Sequence, residues 1–73
     1  MIALLIQQDQ IQIEMRGSED KILEELSTAI VRMMKAMEKS GGASMKENLS
    51  FLTLKTIDKS RQEESHEENT YFV

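Results

Sequence analysis

Hydrophobic residues follow three different patterns along this chain. Between Ile2 and Met15 they alternate with other positions, but on two parities: Ile2, Leu4 and Ile6 are even, and Ile11, Ile13 and Met15 are odd. Alternation with period 2 marks a strand with one covered face. The change of parity across Gln7-Gln8-Asp9-Gln10 predicts two strands joined by a four-residue turn, in preference to one long bulged strand. A short helix starting at Met1 is the competing prediction.

The second pattern is helical. Ile22, Leu23, Leu26, Ala29, Ile30, Met33, Met34 and Met37 recur at the spacing of one broad apolar face. Glu24, Glu25, Thr28, Arg32, Lys35 and Glu38 supply the wet side. Ser18 stands where an N-cap is needed, and Glu19 and Asp20 follow it at the positive end of the helix dipole. Gly41 or Gly42 provides a left-handed stop. These signals predict a helix from Glu19 to Lys39, about 30 Å long. Arg16-Gly17-Ser18 forms the corner ahead of it. Gly17 stands alone, so it makes a plain strand-to-helix turn rather than a dinucleotide loop.

The third pattern is mixed. Ser44 and Glu47 have capping-box spacing, and the Gly-Gly linker has a length that joins antiparallel helices. Together they predict a second helix from Met45 to about Glu64. Its apolar residues point several ways: Met45, Leu49 and Leu52 share a face, whereas Phe51, Leu54 and Ile57 do not join it. Phe51 to Ile57 is also rich in strand formers. The expected fold is therefore α+β, a β-hairpin followed by two antiparallel helices (ββαα), with ββαβ as the alternative.

Charge divides the chain. The formal net charge is −4. Residues 1–61 hold nine acids and nine bases, so the excess comes from Glu63, Glu64, Glu67 and Glu68. The expected organisation is a single small domain over 1–61 and an acidic, flexible tail over 62–73, ending in Tyr71-Phe72-Val73. A neutral body disfavours a nucleic-acid surface. The chain has no cysteine, which excludes a disulfide framework and a Cys-based zinc site. Met1 to Ile6 is too short for a secretory leader and lacks a basic flank, and no run is long enough to span a bilayer. The expected location is the cytoplasm.

Candidate chemistry is sparse. Glu63-x-x-His66 has the i, i+3 spacing that carboxylate-bridged di-iron bundles supply from two of their helices. Here it sits in a solvated acidic run without further inward carboxylates, so a solvated histidine is the expected reading. No nucleophile has a base and an orienter beside it, and no enzyme activity or cofactor is expected.

What remains is apolar surface. A chain of 73 residues is marginal alone, and without disulfide or metal, self-association is the most economical source of buried area. Met33, Met34 and Met37 stand at ordinary core spacing, and core filler on a buried helix face is the expected reading of that stripe ahead of a dedicated binding groove. Met33, Met37 and Met45 are also flexible thioethers suited to adaptable contacts. With Phe51, Leu52 and Leu54 they form the expected protein-binding or oligomer interface.

The run Ile11-Gln12-Ile13-Glu14-Met15-Arg16-Gly17-Ser18, with the helix opening Ile22-Leu23-Glu24-Glu25-Leu26, resembles small proteins encoded by phages and prophages of Gram-positive bacteria. In those, a strand of the type I-x-I-x-x-x-G leads into one long helix. The resemblance spans about residues 10 to 40 and transfers no functional residue. It implies a phage-encoded accessory protein that binds or inhibits a host protein, in the host cytoplasm. The chain as a whole is thus expected to be a non-enzymatic, homo-oligomeric interaction protein, a dimer in its simplest form. The alternative is a nucleic-acid accessory protein using Arg32, Lys35, Lys39, Lys46, Lys55 and Lys59, or an acidic nucleic-acid mimic.

Overall fold

A computed structural model describes the backbone of residues 1–70 and the side chains of residues 1–64. The element order is ββαα: β1 Ile2–Gln7, β2 Gln10–Met15, α1 Glu19–Lys39 and α2 Met45–Thr70. The α+β architecture is the one expected. The chain divides into two compact units, Met1–Ala36 and a second that begins at Met37, with the boundary in the last turns of α1.

In the first unit, β1 and β2 form an antiparallel two-stranded sheet. Ile2 lies opposite Met15, Leu4 opposite Ile13 and Ile6 opposite Ile11. Residues directly opposite each other share a face. The even positions of β1 and the odd positions of β2 therefore meet on one wholly apolar face, which is why the parity switches. The reverse face carries Ala3, Leu5 and Gln7 against Glu14, Gln12 and Gln10. Gln8 and Asp9 make the turn, and Gln8 takes a φ of 51°. Two-residue hairpin loops need this left-handed region at a central position.

Gly17 turns the chain into α1 with a φ of 120°. The Ser18 hydroxyl accepts from the Lys21 N–H at 3.3 Å, and the Ser18 carbonyl accepts the first helical bond, from the Ile22 N–H at 3.0 Å. The predicted cap and the predicted helix limits both hold. Met34 is buried at 6% exposure, and Ile22 and Ile30 are half-buried. The rest of the predicted buried face is open: Leu23, Leu26, Met33 and Met37 are all exposed. The periodicity is present, but the chain itself covers little of it.

In the second unit, α1 ends in a Schellman closure. The Gly42 N–H donates to the Met37 carbonyl at 2.9 Å, and the Gly41 N–H donates to the Glu38 carbonyl at 3.1 Å. Gly41 takes the left-handed conformation, with φ 94°. Ser44 then caps α2: its hydroxyl accepts from the Glu47 N–H at 3.3 Å. The Glu38 carboxylate accepts from the Met45 N–H at 2.5 Å, adding a negative charge at the N-terminus of α2.

Residues 49–57 are helical, as the cap predicted, despite their β-branched content. Thr53 satisfies its hydroxyl on the Leu49 carbonyl at 2.8 Å, and no third strand among the described residues competes for this segment. The helix passes the expected stop near Glu64 and continues to Thr70. Arg61, Gln62, Glu63 and Glu64 are good helix formers, and no glycine or proline stands in the way. Residues 62–70 of the acidic segment are thus helical backbone. Tyr71-Phe72-Val73 lie outside the described residues.

Candidate interaction surfaces

Three apolar surfaces emerge from these elements. The first is the hairpin face. Leu4, Ile6, Ile11, Ile13 and Met15 are all exposed, Ile6 and Ile11 by 62% and 63%, and Ile2 is half-buried. An isolated two-stranded hairpin is at best marginally stable in water, so a face of this composition needs a cover. The predicted interface contained none of these residues. The signal was nevertheless present, because the parity switch that defines the hairpin also places all of these side chains on one side.

The second surface is the open stripe of α1. Leu23, Leu26, Met33 and Met37 lie along it at helical spacing. Of the predicted interface residues, Met33 and Met37 are here, four apart on one side of the helix. Met34, next in sequence to Met33, is on the rim of the stripe and is the residue that the chain does bury.

The third surface belongs to α2. Met45, Leu49 and Leu52 are half-buried and share a face. Phe51 and Leu54 are exposed and lie on other sides of the helix, with Ile57 exposed beyond them. The predicted set of Met45, Phe51, Leu52 and Leu54 is therefore divided around α2. The Lys55 ammonium sits 5.0 Å from the centre of the Phe51 ring, within cation–π reach.

The Met1 amine pairs with Glu25 at 3.2 Å, and Arg16 pairs with Glu14 at 3.1 Å; all four groups are well exposed. Such exposed pairs contribute little to stability. No cluster of three metal-ligating side chains occurs among the described residues. The His66 side chain lies outside them, so the Glu63-x-x-His66 pair is placed only as sequence neighbours on α2. The bases Arg32 and Lys35 flank Ser27, Thr28 and Val31 on the wet side of α1. No helix among the described residues is long and apolar enough to cross a membrane. The chain matches no family model, no curated protein and no solved structure.

Proposed function

We propose that this chain is a small non-enzymatic interaction protein that works as a homodimer and presents its remaining apolar helix surface to another protein. One observation carries the reading: Met34 is the sole buried hydrophobic residue among the described ones, while the hairpin face and the α1 stripe stay open. Hydrophobic burial is the main favourable term in folding, and these faces supply little of it until something covers them.

Self-association covers the hairpin face and the α1 stripe without a second gene product. The second partner would be a host protein in the cytoplasm, which is what the likeness to phage-encoded strand–helix proteins implies. The exposed side of α2 that bears Phe51 and Leu54 is the surface for it.

The test is mass in solution across a dilution series, by light scattering after size exclusion, with circular dichroism at each concentration. The expected result is a dimer whose melting temperature rises with concentration. A monomer with a sharp, concentration-independent melt would overturn the reading.

A further inference from the structure

The hairpin's hydrogen-bond phase selects one way for two copies to meet. The Arg16 N–H donates to the Met1 carbonyl at 2.7 Å, and the Met1 amine donates back to the Arg16 carbonyl. Met1 and Arg16 are thus a hydrogen-bonded pair of the ladder. Such pairs alternate with non-hydrogen-bonded ones, and the register is unbroken. Ala3, Leu5 and Gln7 therefore spend their backbone groups on β2. Ile2, Leu4 and Ile6 point their N–H and carbonyl groups outward, along the free edge of β1.

Three features of that edge fit a second copy of itself. β1 carries no charged residue, no proline and no glycine, so it lacks the usual guards of a strand edge. The edge of β2 is better guarded, because its strand holds Glu14 and is flanked by Asp9 and Arg16. The outward groups are also symmetric about Leu4: an antiparallel second β1 sets Ile2 opposite Ile6 and Leu4 opposite Leu4. Finally, those outward residues belong to the apolar face. Any antiparallel ladder along this edge sets outward residues opposite outward residues, so it joins the two hairpin faces into one continuous apolar surface, and the register centred on Leu4 pairs all three of them.

We infer that two copies of this chain pair edge to edge through β1, with Leu4 at the two-fold axis, giving a four-stranded antiparallel sheet in the order β2-β1-β1-β2. The inference rests on the homodimer proposed above and specifies its interface. It makes the hairpin an interior part of a larger sheet rather than an exposed ribbon.

Cysteine cross-linking in the full chain tests this without background, since the protein has no cysteine. Leu4→Cys places two thiols opposite each other, at a Cα separation of about 5.5 Å that suits a disulfide. The double variant Ala3→Cys/Leu5→Cys keeps Leu4 and sets residue 3 of one copy opposite residue 5 of the other. Each of its single parents puts like thiols out of reach. Ile13→Cys samples the two-fold axis of a rival sheet joined through β2.

Under mild oxidation, Leu4→Cys and the double variant should shift from the monomer to the dimer band on a denaturing gel. Ala3→Cys, Leu5→Cys and Ile13→Cys should not. If wild type is a dimer and neither Leu4→Cys nor the double variant links, or if Ile13→Cys links instead, the β1 interface is overturned while the homodimer stands. Equal linking of all variants overturns it too, as collision. If wild type is a monomer at every concentration, both the homodimer and its interface fall.

Discussion

Met33→Ala separates a covered α1 stripe from one that stays in water. Met33 is 52% exposed in the chain, so about half of its burial is still to be gained. Fully burying a methionine is worth about 1.5–3 kcal/mol, so covering the remaining half contributes about 1 kcal/mol. In a symmetric dimer the change occurs twice and costs about 2 kcal/mol, or roughly 30-fold in the dissociation constant. Sedimentation equilibrium over a dilution series reads this directly. Met34→Ala is the internal comparison. Met34 is already buried, so its truncation should cost about 2–5 kcal/mol of folding stability and appear in a denaturant melt. Lys35→Ala, on the wet side, should change neither. If Met33→Ala dimerises at the wild-type concentration while Met34→Ala is destabilised as expected, the stripe is not part of the self-interface and the reasoning from exposed area fails there.

The remaining predictions concern the turns and the open side of α2. Gln8→Gly should raise stability by about 1 kcal/mol in a denaturant melt, because a φ of 51° is costly for a residue with a Cβ and free for glycine. Gly41→Ala should cost about 1 kcal/mol for the same reason in reverse. Gly42→Ala should cost at least as much by another route: its Cβ would lie 2.9 Å from the Met37 carbonyl oxygen, a backbone atom that holds the helix closure. Leu54→Ala should leave both mass and melting temperature at the wild-type values, since Leu54 is 69% exposed and assigned to the second partner. A loss of dimer in that variant would move α2 into the self-interface.

Most of the architecture could be read from the chain. Ser18 and Ser44 both make the caps their spacing announced, and Gly41 closes α1 as a left-handed glycine should. Local chemistry was sufficient there, because each signal acts within a few residues of itself. Two features were less legible. The sequence predicts the end of α2 near Glu64, because an acidic run reads as a tail, yet acids with good helix propensity extend a helix already begun. The apolar face of α1 was expected to be covered, because periodicity reports which residues want burial and carries no information about what buries them. The hairpin face was missed as an interaction surface for a related reason: a strand with one apolar side reads as core in a sequence, whether or not the same chain can reach it.

On the proposed reading, the surfaces divide labour between them. The free edge of β1 is uncharged and its apolar residues are arranged symmetrically about Leu4. A surface that meets its own copy benefits from both properties, because a charge at Leu4 would face its like across the two-fold axis, and a charge elsewhere on the edge would face an apolar residue of the other copy. The open side of α2 has the opposite character. Phe51 is covered in part by the Lys55 ammonium, and Asp58 and Lys59 follow close to Ile57. Mixed charges around apolar residues suit an interface with an apolar centre and a polar rim. Discrimination between partners comes from such rims, through the charges a wrong partner would leave unpaired. The uncharged strand edge is therefore the economical place for self-assembly, and the charged-rimmed helix face the economical place for recognising something else.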